Sequence, residues 1–299
     1  MGDHPEVIDS LAGSTRDLRA AAPDAGAGFG ALHNAAVAEG VLTALDEDVY
    51  LDLNRDGAAP TEAEIFSSLA VFAHPDDESF GLGAVLGALV DAGIDVAGVC
   101  FTHGEASTLG AAGVDLHRLR AAELVEAAAA LAIGDVELLD YPDGGLSDIP
   151  LGELAERVID QARRHHADLL VAFDEGGITG HPDHQQATRA ALAAGRRLGL
   201  PVLAWAVTDT VATALNAEFA STFVGRRPGE LDLTLAVDRR RQLAAIACHR
   251  SQSGTNPVLW RRLELTGNHE PLRWLRIEQP GLSLRLGASP APGDRHLAQ

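Results

Sequence analysis

The sequence predicts an α/β fold, a Rossmann-like and mostly parallel sheet with helices on both faces, preceded by an acidic, helical N-terminal extension. Three observations predict it. From Ser68 onward, short apolar, β-branched runs alternate with Ala- and Leu-rich stretches of helical period, the rhythm of strand–helix–strand units. The chain has 299 residues, enough for one large α/β domain plus an extension. It is 46% hydrophobic, yet no apolar run reaches the roughly 18 residues that a membrane-spanning helix needs.

Taken in order, residues 1–65 form the extension. Ile8–Ala22 and Phe29–Leu45 read as amphipathic helices separated by a Gly/Ala-rich stretch, and Leu53–Glu64, with its Asp-Gly and Pro, reads as a linker. The main domain, 66–287, opens with the strand Ser68–Ala73 and the helix Gly83–Gly93. Then follow strand Val96–His103, helix Asp115–Gly134, strand Val136–Pro142, helix Leu151–His166, strand Asp168–Asp174, helix Asp183–Gly199 and strand Pro201–Val207. Leu231–Val237 reads as one more strand, Asp238–Gln252 as a helix and Trp274–Leu286 as the segment that closes the fold. Residues 288–299 read as a disordered tail.

The formal net charge is −20, and residues 1–65 carry 13 Asp/Glu against 3 Arg. So acidic a chain repels phosphate backbones and anionic lipid, which argues against nucleic-acid and membrane-surface partners. The first ten residues lack the basic and apolar regions of a signal peptide. Two cysteines, Cys100 and Cys248, make no disulfide framework and suit a reducing cytoplasm. The sequence leaves open whether the chain forms a homo-oligomer. There is no lysine at all, which excludes a Walker A loop, Schiff-base chemistry and pyridoxal phosphate. No G-x-S-x-G elbow occurs either. The chemistry has to come from His, Asp, Glu or a metal.

Two stretches supply those residues: His74-Pro75-Asp76-Asp77 after the first strand, and His181-Pro182-Asp183-His184 after the fourth. Either alone is an ordinary helix start, with Pro in the first turn and acids at the positive end of the dipole. Together they carry more. Both sit at carboxyl ends of strands, the edge where open parallel sheets bind ligands, and in the order 3-2-1-4-5 strands one and four are neighbours across the switch-point crevice. The spacings His74-x-x-Asp77 and His181-x-x-His184 let residues three apart share a face. Two histidines and a carboxylate make a common catalytic zinc site with a fourth position free for water; iron(II) suits the same ligands. Asp76, beside Asp77, is placed to take a proton from that water.

The pair "AHPDDE" and "GHPDH" resembles the zinc-dependent de-N-acetylases of the LmbE / PIG-L family, supported by "THGE" at Thr102–Glu105, Arg120-x-x-Glu123 and "HRSQ" at His249–Gln252. The resemblance runs from about Ser68 to Gln252. It implies a cytoplasmic metal-dependent amidase that removes an N-acetyl group from a small GlcNAc-type glycoside or related conjugate. Residue by residue, it implies His74, Asp77 and His184 as zinc ligands, Asp76 as general base, and His181 as oxyanion stabiliser or proton donor to the amine. Asp183 is implied to orient His181. Glu105, Arg120 and His249 are weaker candidates for substrate contact. Glu78 reads as favouring a helix N-terminus, and His103, His165 and His166 read as non-ligands.

The alternative is a non-hydrolytic protein that binds a nucleotide or sugar phosphate through the glycines of Gly81–Gly87. It is discounted because "HPDDESF" separates those glycines from the strand. The chain also departs from the family it resembles. The stretch between "THGE" and Arg120 is short, "GGIT" before the second motif lacks an aromatic residue, and Arg239–Arg241 stand where the family often has Lys.

Overall fold

The computed structural model describes residues 43–45, 48–51, 61–107, 115–254, 256–276 and 282–286. Within them a seven-stranded sheet forms the centre. Its strands are β4 (Ser67–Phe72), β5 (Asp95–Thr102), β6 (Val136–Tyr141), β7 (Leu169–Phe173), β8 (Val202–Trp205), β11 (Leu233–Ala236) and β12 (His269–Arg276). Their order is β11-β12-β8-β7-β4-β5-β6. The five strands from β6 to β8 are parallel, and β12 and β11 extend the sheet antiparallel. In chain order the parallel strands run 3-2-1-4-5, so β4 and β7 are neighbours as expected.

The central strands are buried on both faces, and period-two alternation decides which side chain goes where. From β4 and the residue after it, Ala70 and Phe72 enter one core while Leu69, Val71 and Ala73 enter the other. β7 splits likewise, with Leu169, Val171 and Phe173 on the first side and Leu170 and Ala172 on the second. The first core is closed by the helices Gly83–Asp91 and Leu116–Leu131 through Val85, Leu86, Leu89, Leu124, Ala127 and Leu131. The second is closed by Leu151–Arg164 and Pro182–Leu198, whose buried faces include Leu154, Val158, Ile159, Ala190 and Ala194.

Three readings are corrected. The stretch Asp238–Gln252 is two helices, Arg240–Ile246 and Arg250–Ser253. The chain breaks at His249 (ψ 60°), whose side chain is drawn into a buried ion pair. The closing segment contributes to two sheets: β12 ends at Arg276, and β13 (Leu282–Leu286) joins a separate four-stranded sheet. That sheet has the order β1-β2-β13-β3, with β1 (Thr43–Leu45), β2 (Asp48–Leu51) and β3 (Thr61–Glu64). Thus the end of the stretch read as the second N-terminal helix, and the end of the stretch read as a linker, are strands. The remainder of both, the first N-terminal helix and the tail 288–299 lie outside the described residues. Among the described residues, no helix is long and apolar enough to cross a membrane.

Candidate active site

Both His-Pro-Asp motifs are indeed helix starts, and that is how their side chains are aimed. After β4, Asp76 precedes the short helix Asp77–Phe80. After β7, His181 is the N-cap of Pro182–Leu198, with Pro182 in the first turn. Because β4 and β7 are hydrogen-bonded neighbours, the two starts face one crevice.

Three side chains converge there. His74 Nδ1 lies 3.2 Å from His184 Nε2, His184 Nε2 3.2 Å from Asp77 Oδ1, and His74 Nδ1 3.6 Å from Asp77 Oδ2. A tetrahedral site with metal–ligand bonds of about 2.0–2.1 Å has ligand–ligand edges of about 3.3 Å. Hydrogen bonds on the far sides of the rings fix which nitrogens are free. His184 Nδ1 donates to the Gly177 carbonyl (3.0 Å), and so turns a bare Nε2 inward. His74 Nε2 faces two carboxylates, Asp143 Oδ1 at 3.1 Å and Asp183 Oδ2 at 3.4 Å, which leaves Nδ1 bare. Asp77 Oδ2 is occupied by the backbone N–H groups of Ala73 and His74, leaving Oδ1 for the crevice. Two imidazole lone pairs and a carboxylate oxygen aimed at one point repel one another unless a cation sits between them. The donor set therefore fits a divalent ion, and carboxylates behind a ligating histidine are the usual second layer of such a site.

The electrostatics agree. Burial disfavours charge on His74, but Asp143, Asp183 and Asp77 outweigh it and hold its pKa well above the ordinary value. Asp77 is held well below the usual carboxylate range: burial opposes ionisation, and His184 and His74 overcome it. Positive charge is what this cluster stabilises.

Asp76 stands beside the trio. Its backbone has φ 140°, a region that costs a non-glycine residue energy and persists only where neighbours impose it. The neighbours are visible. Asp76 N–H donates to Glu78 Oε2 (2.9 Å), and Arg120 bonds Asp76 Oδ2 (2.7 Å), the Pro75 carbonyl and the Gly104 carbonyl (2.6 Å). Burial pushes the Asp76 carboxyl up to about 6 against the opposing pull of Arg120, with Asp77 adding to the rise. His181 shifts the other way. Burial, then the nearby His184 and His74, hold its pKa below the ordinary value. Its Nδ1 accepts the Asp183 N–H (3.2 Å), so the neutral ring carries its proton on Nε2 as a donor.

Three sequence-based roles change. Asp183 does not orient His181 with its carboxylate, which binds His74 and the N–H groups of Gly144 and Leu146. Arg120 is only 3% exposed, and its two terminal nitrogens are taken by the loop around Asp76, so it does not present itself to substrate. Glu123, at helical spacing from Arg120, holds the backbone N–H and hydroxyl of Ser251. His249 has no exposed surface and pairs with Glu78 (Nε2–Oε1 2.5 Å), so it is no pocket residue. Glu105 is exposed and accepts the Asp143 N–H (3.1 Å), tying the end of β5 to the loop that backs His74. Asp143 itself was missed. The signal was present, because "YPD" ends the third strand at the same sheet edge.

Gly104 shows how tightly Arg120 is built in. It has φ +64°, and a Cβ there would lie 2.0 Å from Arg120 Nη1. Gly104→Ala is expected to lower stability by about 1–3 kcal/mol through strain and displacement of the guanidinium. An unchanged thermal midpoint would show that this clamp is slack. Gly81, Gly83 and Gly87 are close-packing positions as well: a Cβ on each would meet Phe173, Gln242 and Arg241 respectively.

Comparison with known proteins adds the following. A family model described as PIG-L, GlcNAc-PI de-N-acetylase, matches residues 69–195. A 1D-myo-inositol 2-acetamido-2-deoxy-alpha-D-glucopyranoside deacetylase 1 of Catenulispora acidiphila is 34% identical over 172 residues, 49% of this chain and 53% of that protein. The corresponding deacetylase of Nakamurella multipartita is 30% identical over 242 residues, 62% of this chain and 78% of that protein. The chain spans about half the length of the first curated relatives it matches. Among solved structures, the zinc-inhibited form of teicoplanin deacetylase Orf2 superposes with a TM-score of 0.52 at 20% identity, over 70% of this chain and 97% of the other. GalB, a 4-carboxy-2-hydroxymuconate hydratase from Pseudomonas putida KT2440, gives 0.54 at 17% identity, over 71% and 98%. Such likeness is one of fold, and a deacetylase and a hydratase share it, so the reaction has to be argued from side chains.

Proposed function

Because this chain belongs to the PIG-L family of GlcNAc-PI de-N-acetylases, we propose that it is a metal-dependent amide hydrolase that removes the N-acetyl group from a small GlcNAc-type glycoside or related conjugate. The observation that carries this reading is the meeting of His74 Nδ1, His184 Nε2 and Asp77 Oδ1, each left bare by a hydrogen bond on its far side. These three residues would hold the ion, with zinc the first choice and iron(II) an acceptable occupant. When bound, the ion supplies Lewis acidity, polarising an amide carbonyl and lowering the pKa of water to about 7.

The chain's own residues do the rest. Asp76 takes the proton of the attacking water, held in place by Arg120 and by Glu78 at its backbone N–H. His181, neutral and protonated on Nε2, donates a hydrogen bond to the oxygen that gains charge as water adds. Collapse breaks the C–N bond, the amine takes the proton that Asp76 had accepted, and acetate leaves. Asp143 and Asp183 keep the His74 proton on Nε2. A reducing, cytoplasmic setting belongs to the same proposal and is supported by the two free cysteines, Cys100 buried and Cys248 half-buried.

Elemental analysis tests the reading, beside an assay for acetate released from free GlcNAc and from GlcNAc linked to inositol and other aglycones. Wild type is expected to carry about one zinc or iron ion per chain in this crevice and to release acetate, and His184→Ala to lose both. A wild-type protein that takes up no metal here, or releases acetate equally well after His184→Ala, would end the proposal.

A further inference from the structure

His184 is aimed by a backbone carbonyl, and that carbonyl belongs to a turn that would not hold its shape alone. His184 Nδ1 donates to the Gly177 carbonyl (3.0 Å). Gly177 has φ +68°, and Ile178 follows it with φ 63° and ψ −61°. Ile178 is β-branched, and these angles are those of the strained γ-turn, so the conformation persists only where neighbours impose it.

The neighbour at its centre is a buried carboxylate that the proposed reaction does not use. Asp174, the residue after β7, is 2% exposed. Its Oδ1 accepts the Gly176 N–H (2.9 Å), and its backbone carbonyl accepts the Gly177 N–H (2.8 Å). Two arginines from distant parts of the chain hold the carboxylate. Arg226 Nε donates to Oδ1 (2.9 Å) and Arg273 Nη1 to Oδ2 (3.0 Å). Arg226 lies in a two-residue strand, Gly225–Arg226, and Arg273 lies in β12. The segment leading to Arg226 fastens the far end of the turn. There the Val224 N–H donates to the Ile178 carbonyl (2.7 Å), and the Thr222 hydroxyl to the Thr179 carbonyl (2.7 Å). The turn is therefore gripped on both sides of Gly177. A buried carboxylate is costly unless it is paired, so Asp174 stays with its arginines, and the Gly176 N–H stays with Asp174.

We propose that Asp174 is a positioning residue for the crevice. Clamped by Arg226 and Arg273, it fixes the turn at Gly176–Ile178 so that the Gly177 carbonyl takes the His184 Nδ1 proton and Nε2 stays bare toward His74 and Asp77. The inference rests on the reading of those three residues as metal ligands. Asp174 acts through the Gly177 carbonyl. If the turn slackens, the ring can rotate or carry its proton on Nε2, and either change removes a lone pair from the crevice. Ion affinity is thereby made to depend on an ion triad whose arginines lie beyond both His-Pro-Asp motifs in the chain.

The test is the zinc affinity of the chelator-stripped, full-length protein, measured by competition with a chromophoric chelator. Visible absorption of the cobalt(II)-loaded protein reports ligand geometry alongside it. Asp174→Asn keeps an oxygen for the Gly176 N–H but loses the charge that holds the arginines. It is expected to lower zinc affinity about tenfold, the low end for groups behind a metal ligand, and to shift the cobalt spectrum. Arg226→Gln, at a side chain 20% exposed, is expected to give a smaller loss in the same direction, and it carries the test if Asp174→Asn does not fold. Adding Arg226→Gln to Asp174→Asn should lower affinity no further, because the arginine acts through the carboxylate. Leu131→Ala is the control for a merely structural effect. Leu131 is fully buried in the last turn of the helix that leads back to the amino end of β6, away from the crevice. This variant should be less stable yet bind zinc as wild type does. Unchanged zinc affinity in every variant that folds, or an equal loss in Leu131→Ala, overturns the proposal. A wild type that binds no zinc overturns it together with the hydrolase reading, whereas wild type and variants that bind zinc alike overturn this inference alone.

Discussion

Asp76→Asn is expected to keep its metal and lose about 10²–10⁴ in kcat, the usual contribution of a positioned general base. Asn has the shape of Asp, and its carbonyl oxygen still accepts from Arg120, which bonds Asp76 Oδ2 in the wild type. Its backbone N–H still finds Glu78. What is lost is the ability to hold a proton. The wild-type pH profile carries the same assignment. Burial places the Asp76 pKa at about 6. The base works only when ionised, so kcat/KM should be full above that value and fall as pH drops through it. A cation beside Asp77 lowers the pKa further, so the acid limb should lie at or below 6. An Asp76→Asn protein that is metal-loaded and turns over at the wild-type rate would remove Asp76 from its role, as would an acid limb well above 7.

The parts of this architecture that depend on local pattern were legible in the sequence. Leu69–Ala73 and Leu169–Phe173 are so uniformly apolar that a strand covered on both faces suits them best; strand–helix alternation then points to a parallel sheet, and the order 3-2-1-4-5, in which the two motifs are neighbours, is the one found. The two His-Pro-Asp motifs lie side by side as a result, and His74, Asp77 and His184 meet. The parts set by long-range polar contacts were not legible. Nothing near Glu78 in sequence shows that its carboxylate ends against His249, 171 residues away, rather than at a helix dipole. Arg120 has Glu123 at helical spacing, but the crowded loop at Gly104 and Pro75 claims its guanidinium. Asp183 looks like the partner of His181 because the two are close in sequence. The N-terminal helix geometry that gives His181 the Asp183 N–H also sends the carboxylate toward His74. In each case sequence proximity suggested a contact that three-dimensional packing overrode.

Removing His249 should be the most disruptive of these changes for stability, though the residue touches no reacting atom. His249 and Glu78 have no exposed surface, and their side chains lie 2.5 Å apart. Burial pulls the His249 pKa down, but the Glu78 carboxylate, with Asp76 and Glu123 behind it, outweighs burial and raises it above the ordinary value, which favours the charged form of the pair. His249→Ala leaves the Glu78 carboxylate buried without a countercharge, a change that typically costs about 3–5 kcal/mol. The damage then reaches the site. Glu78 Oε2 holds the Asp76 N–H, and that bond helps to keep φ at 140°. A carboxylate that has lost His249 turns toward water and releases the turn. Urea unfolding of His249→Ala, Glu78→Ala and the double variant measures this directly. The double variant should be more stable than the sum of the single losses implies, with a coupling of about 0.5–3 kcal/mol. At temperatures where it remains folded, His249→Ala should bind metal normally yet turn over slowly, because the ligands stay and the base is misplaced. Strictly additive losses would mean that the pair is not a unit. Normal kcat in a folded His249→Ala protein would mean that Arg120 alone holds Asp76.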